Sequence, residues 1–193
     1  MTKKPSVLMV GQQGLATGIG HHVQDQKLVG GYYHFGGDPS YPEDVFHDIP
    51  HIRLVMERDW SFEGAPFDVL IYVCDVVPRA GHALGRRTLE SFNRAQVGLI
   101  NVVSELEELF IKGPLVLVVD VVGGNYDSVG RAIASMCPAI FAMLKSEGYF
   151  EQFNFRHLVF GSEMDAREPY HWVTDQFTNW MEPVADTAQE VGA

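Results

Sequence analysis

The apolar positions of this chain fall into short dense runs separated by longer stretches of helical period. Val7 to Val10, Tyr32 to Phe35, His51 to Met56, Val69 to Val73, Leu115 to Val119 and Phe155 to Phe160 each read as a strand. The runs at 69–73 and 115–119 are apolar at every position, as strands covered on both faces are. Between them, His21 to Leu28 carries no breaker and predicts a helix, and Tyr41 to His47 predicts one or two turns. Leu89, Phe92, Val97, Ile100, Val103, Leu106 and Phe110 recur at roughly helical spacing, which predicts a long helix over Arg86 to Phe110 stopped by Gly113-Pro114. Asp127 or Ser128 is placed to cap a second long helix to Ser146, with Pro138 marking a kink or break. Tyr170 to Met181 predicts a last amphipathic helix. The stretch from Glu57 to Phe67 is too short and polar for a crossover helix and reads as a loop around Trp60.

This order predicts an α/β fold: a doubly wound, mostly parallel sheet with helices on both faces. Residues 1–182 read as one domain, and 183–193 as a polar, mobile tail.

Composition narrows the function. The chain has 193 residues, 46% apolar and 20% charged, with a net charge of −11 and no basic cluster beyond Arg86-Arg87. That balance argues against nucleic acid as a partner. No apolar run approaches the ~20 residues of a membrane helix. Cys74 and Cys137 form no Cys-x-x-Cys pair, so a reducing cytoplasm is the expected location. Eight histidines invite a metal, but His47 and His51 flank Pro50, and His21 and His22 are adjacent and point to different sides of a helix. With no ligand spacing in sight, no metal site is expected. No Gly-x-Ser-x-Gly elbow supplies a hydrolase nucleophile. Asp120 and Asp127 read either as a carboxylate pair for acid/base work or as turn and cap residues.

The informative stretch is Val7 to Val23, where a buried strand is followed by Gly11, Gly14, Gly18 and Gly20. A strand, a glycine turn and a helix aim free backbone N–H groups and a positive helix end at one point, which suits a pyrophosphate. Gly14-x-x-x-Gly18-Ile19-Gly20 resembles the Gly-x-x-x-Gly-x-Gly turn of the short-chain dehydrogenase/reductase family, with Gln13 where that family usually has Thr. The resemblance implies a Rossmann-type nucleotide-binding fold from about Ser6 to Ser162. It implies a cofactor-binding set of Gly14, Thr17, Gly18, Ile19, Gly20, Asp38 and Asp59. Asp38 lies near the ~20-residue distance from the glycine turn at which an acidic residue takes the ribose hydroxyls, so NAD is the expected cofactor rather than NADP. It also sits in turn chemistry of its own, Gly36-Gly-Asp-Pro39.

The family's chemistry uses a Ser, a Tyr-x-x-x-Lys pair and a helical Asn. Carried onto this chain, the serine falls on Asp120 or Val121, the tyrosine on Ile133, the lysine on Cys137 and the asparagine near Ala95 or on Asn93. Asp75 stands where a glycine usually lies close to the cofactor. None of the counted positions supplies the set, so no catalytic residue is expected by the family pattern; Asp120, Tyr126 (with Arg131 as a helper) and Asp75 are the fallback. The resemblance therefore implies a degenerate member, a pseudoenzyme acting as a binding, regulatory or partner subunit. The alternative is an oxidoreductase, isomerase or dehydratase with a rearranged site. The family's habit of pairing through two long helices implies a homodimer, or a heterodimer with a relative, through 86–110 and 128–146, with Leu99, Val103, Ile140 and Phe141 at the interface.

Overall fold

The computed structural model describes residues 4–11, 14–28, 31–35, 66–76, 88–89, 92–106, 110–123, 127–148 and 153–181. Five strands form one sheet: β1 (Ser6–Gly11), β2 (Gly31–Phe35), β3 (Phe67–Asp75), β4 (Phe110–Val121) and β5 (Asn154–Phe160), in the order β2-β1-β3-β4-β5. Every neighbouring pair is parallel. The expected strand His51 to Met56, the helix Tyr41 to His47 and the tail from 183 lie outside the described residues.

Strand alternation sorts the core into two layers. Val7, Met9, Val69, Ile71, Val73, Leu117 and Val119 face one side, where they meet α1 (Leu15–Asp25) and α5 (Glu168–Met181) through Ala16, Ile19, Val23, Val173 and Phe177. Leu8, Val10, Leu70, Tyr72, Cys74, Val116 and Val118 face the other. That side is covered by α2 (Gly98–Leu106), α3 (Asp127–Ala134) and α4 (Cys137–Ser146). Each fully buried aliphatic side chain contributes roughly 1.5–3 kcal/mol relative to exposure, and the two layers make β3 and β4 the spine of the domain.

Three boundaries differ from the sequence expectation. First, α1 begins at Leu15, so Gly18 and Gly20 lie inside the helix and the turn ends at Gly14, whose φ of 88° a glycine tolerates best. Second, the helix expected to reach Phe110 ends at Leu106, and Phe110 already pairs with Phe67 in the sheet. Gly113-Pro114 does not stop a helix. It sits in an irregularity of β4 between the Phe67 and Val69 pairings, where a missing N–H is tolerated. Third, the expected second long helix divides at Ser135-Met136 into α3 and α4, with Pro138 in the first turn of α4. Taken as one stretch, Asp127–Ser146 is long and apolar enough to cross a membrane by length and composition alone. Here it packs Ile133, Ala134, Cys137, Phe141 and Leu144 into the domain's own core.

Candidate functional site

The strand order puts β1 between β2 and β3, so the chain's winding reverses between β1 and β3 and leaves a crevice outside their carboxyl ends. Gly11 closes β1 at that edge. Its φ is 141°, and a Cβ there would lie 2.1 Å from the Val73 carbonyl oxygen, so no other residue lets β1 and β3 end this close together. Gly14 follows as the residue before α1, exposed, with no side-chain cap on the helix and nothing within 4 Å of where its Cβ would stand. Among the described residues no side-chain cap is made at Gly14, which leaves the first-turn N–H groups of α1 available beside the carboxyl end of β1. Asp75 ends β3 two residues past the Val73–Gly11 pairing, half-buried, on the α1 face of the sheet.

The other expected cofactor residues sit differently. Thr17 is half-buried on α1, while Ile19 and Gly20 are buried against the sheet. Gly18 faces α5: a Cβ would lie 2.7 Å from Tyr170 Oη. The same contact surface carries a 3.0 Å hydrogen bond between His22 Nε2 and Thr174 Oγ1, and the His22 and Tyr170 rings stand 5.5 Å apart. Gly18 thus serves the approach of two helices, and the turn expected to span Gly14 to Gly20 reduces to Gly14. Asp38, Asp59 and Tyr126 lie outside the described residues.

On the opposite face, the strand end that carries the counted serine position is closed over. Asp120 is fully buried and accepts a 2.9 Å hydrogen bond at Oδ2 from His157 Nε2, 37 residues away on β5. Its Oδ1 is buried with no hydrogen-bond partner among the described residues. Burial raises the Asp120 carboxyl above its ordinary value, with the His157 contact opposing. Cys137 at the start of α4 joins them: one donor atom each of Asp120, Cys137 and His157 lie within 4.8 Å of one another. Burial, then the Asp120 charge, pushes the Cys137 thiol far up in the metal-free protein. Burial foremost, with Cys74 and Asp120 nearby, also raises the Tyr72 phenol. Asp120 and Asp127 are not a matched carboxylate pair, because each answers a different partner. Arg131 donates from Nε to Asp127 Oδ2 at 2.6 Å and from Nη2 to Glu163, so the guanidinium expected to assist Tyr126 is engaged elsewhere.

Two features escaped sequence reasoning. Gln96 is fully buried in a π-helical turn, Asn93–Val97, and donates from Nε2 to the Ile133 carbonyl oxygen at 2.8 Å, joining that turn to α3. It occupies the region where the helical asparagine was expected. His157 was readable only as an inward position of a strand, on the same face as Phe155 and Val159.

No protein-family model matches the sequence, and no curated protein sequence matches it. Solved structures do. The chain is similar to a protein assigned as a short-chain alcohol dehydrogenase from Burkholderia multivorans, at 13% identity and a TM-score of 0.61, covering 91% of each chain. It is similar to a short-chain oxidoreductase from Thermus thermophilus at 14% identity and a TM-score of 0.54, covering 95% of this chain and 99% of that one. A short-chain dehydrogenase family protein from Francisella tularensis aligns at 14% identity and a TM-score of 0.51, covering 91% of this chain and 76% of that one. The fold is that of the short-chain dehydrogenases. Within this short-chain dehydrogenase fold, the β1–β3 crevice is where a nucleotide-binding sheet of this winding takes its ligand. The counted proton-transfer positions, Ile133 and Cys137, are 4% and 0% exposed and lie in the core between helix and sheet.

The expected interface residues are also mostly internal. Leu99, Val103 and Phe141 are buried in the chain's own core, and Ile140 is half-buried. An apolar groove of about 490 Å³ runs between helical residues 88, 89 and 92 and α3, lined by Leu89, Phe92, Val129, Ala132 and Met136, among others. Leu89 is 59% exposed and Met136 44%.

Proposed function

We propose that this chain is a nucleotide-binding subunit of short-chain dehydrogenase fold that lacks the ordinary dehydrogenase reaction of that family. One observation supports the reading: Asp120, Ile133 and Cys137, the residues at the counted serine, tyrosine and lysine positions, are all buried in the core. A hydride transferred to a carbonyl leaves an alkoxide that needs a proton donor at the crevice, and none of the three can provide one. What supports nucleotide binding is the start of α1 at Gly14, which has no side-chain cap among the described residues, an anion-seeking helix end at the winding reversal. Asp38 favours NAD over NADP, since a carboxylate repels a 2′-phosphate. The groove beside Leu89 and Met136 is the surface through which a second copy or a related chain would pack.

Calorimetric titration tests the binding half. NAD binds the intact chain and NADP binds more weakly. Gly14→Asp keeps the fold, because the space beside Gly14 is open, yet strains the positive φ and sets a negative charge at the helix start. It weakens NAD by at least ~10-fold, about 1.4 kcal/mol. Unchanged affinity in Gly14→Asp would remove α1 from the site.

A further inference from the structure

We propose that Asp120, Cys137 and His157 form a buried site for one divalent transition-metal ion, of which zinc is the best fit. The three come from three separate elements, β4, α4 and β5, so no local spacing in the sequence announces them. Their donor atoms already lie within 4.8 Å of one another, and His157 Nε2 is 2.9 Å from Asp120 Oδ2. A tetrahedral zinc with bonds of about 2.0–2.3 Å holds its donors roughly 3.3–3.8 Å apart. The widest separation the three donors can have, 4.8 Å, exceeds that span by only about 1 Å.

The chemistry of the donors narrows the ion. One sulfur, one imidazole nitrogen and one carboxylate oxygen suit zinc and its borderline-soft neighbours, whereas calcium and magnesium require oxygen shells. Charge also balances: one carboxylate, one thiolate and one neutral imidazole cancel a dication, which is what an interior demands. On binding, the Cys137 thiol releases its proton to solvent. The imidazole gives up the Nε2 proton it donates to Asp120 and takes one at Nδ1 from solvent, so that the freed Nε2 lone pair replaces the bond to Asp120 with a bond to the metal. The fourth position falls to a neutral oxygen, water or the Tyr72 phenol on the same face of the sheet. The ion also provides a partner for Asp120 Oδ1, which has no hydrogen bond among the described residues. With side-chain exposures of 1% for Asp120 and 9% for His157, the site is closed, and its role is to fasten α4 to the two strands. It does not depend on whether the crevice holds a nucleotide.

The experiment uses the full chain stripped by chelator and titrated with Zn²⁺ and, separately, Co²⁺. One equivalent binds, the thermal midpoint rises, and the cobalt form shows sulfur-to-metal charge-transfer absorption. Cys137→Ser, a conservative change in shape, loses that absorption, and both Cys137→Ser and His157→Gln weaken Zn²⁺ by at least ~100-fold, the upper end of what altering a metal's surroundings costs. Circular dichroism of each variant without metal checks that it is folded. Two results overturn the proposal: no stoichiometric metal in the folded wild-type chain, or metal held equally well by folded Cys137→Ser, which would move the donors elsewhere.

Discussion

The glycine at position 18 separates a packing role from a cofactor role, and one double-mutant cycle decides between them. Alanine in place of glycine inside a helix gains about 1 kcal/mol of intrinsic stability. At Gly18 the new Cβ would stand 2.7 Å from Tyr170 Oη, well inside the ~3.5–4.0 Å of ordinary carbon contact. Overpacking of this kind costs about 1–3 kcal/mol, so Gly18→Ala alone is neutral to about 2 kcal/mol destabilising. Tyr170→Phe removes the hydroxyl, and the next nearest ring atoms are at 3.3 and 3.4 Å, a contact that needs only a small shift. In that background Gly18→Ala stabilises by up to about 1 kcal/mol, which makes the coupling between the two sites about 1–3 kcal/mol. Urea unfolding of the four proteins, with unchanged m values, measures it. Additive effects would refute the α1–α5 contact. Loss of NAD affinity in a stabilised double variant would return Gly18 to the cofactor set.

Three further outcomes follow from the same geometry. Asp120→Ala leaves the His157 N–H without its buried acceptor and costs about 1–3 kcal/mol in denaturant unfolding, whereas Asp120→Leu with His157→Phe costs less; equal losses would show that the pair is not what holds β4 to β5. Phe141→Ala removes a ring that is 5% exposed and stacked on Phe155 with centroids 3.8 Å apart, costing about 3–5 kcal/mol; a loss under about 1 kcal/mol would contradict that packing. Leu89→Glu with Met136→Glu puts charge into the exposed apolar groove. It shifts light scattering from a dimer to a monomer while unfolding stability stays within about 0.5 kcal/mol, the usual range for surface changes; an unchanged mass would move the interface elsewhere.

Much of the architecture was legible because it rests on period and on burial. The fully apolar runs at 69–73 and 115–119 can only be strands covered twice, and they are the central pair. Helix boundaries were less legible where glycine plays two roles. Gly18 and Gly20 look like turn residues from spacing alone, yet Tyr170, distant in sequence, explains the glycine at 18. Gly113-Pro114 reads as a helix stop until the strand irregularity is known. Around the end of β1, only Gly11 and Gly14 were legible, because the positive φ each adopts is a local backbone property. The Asp120–His157–Cys137 cluster was not, since strand register and the break before α4 bring its members together. The interface residues Leu99, Val103 and Phe141 were chosen for apolarity, a property that core and interface share.

A nucleotide-binding fold without the family's turnover is tested most directly by a substrate panel read by nicotinamide absorbance. Purified chain at saturating NAD or NADP, and their reduced forms, is offered carbonyls and alcohols of graded size. No turnover above the protein-free rate is expected. General acids and oxyanion donors are each worth roughly two to four orders of magnitude, and the counted positions carry Asp120, Ile133 and Cys137 in the core. Sustained turnover that Tyr126→Phe or Asp75→Asn abolishes, in a chain that still folds, would contradict it.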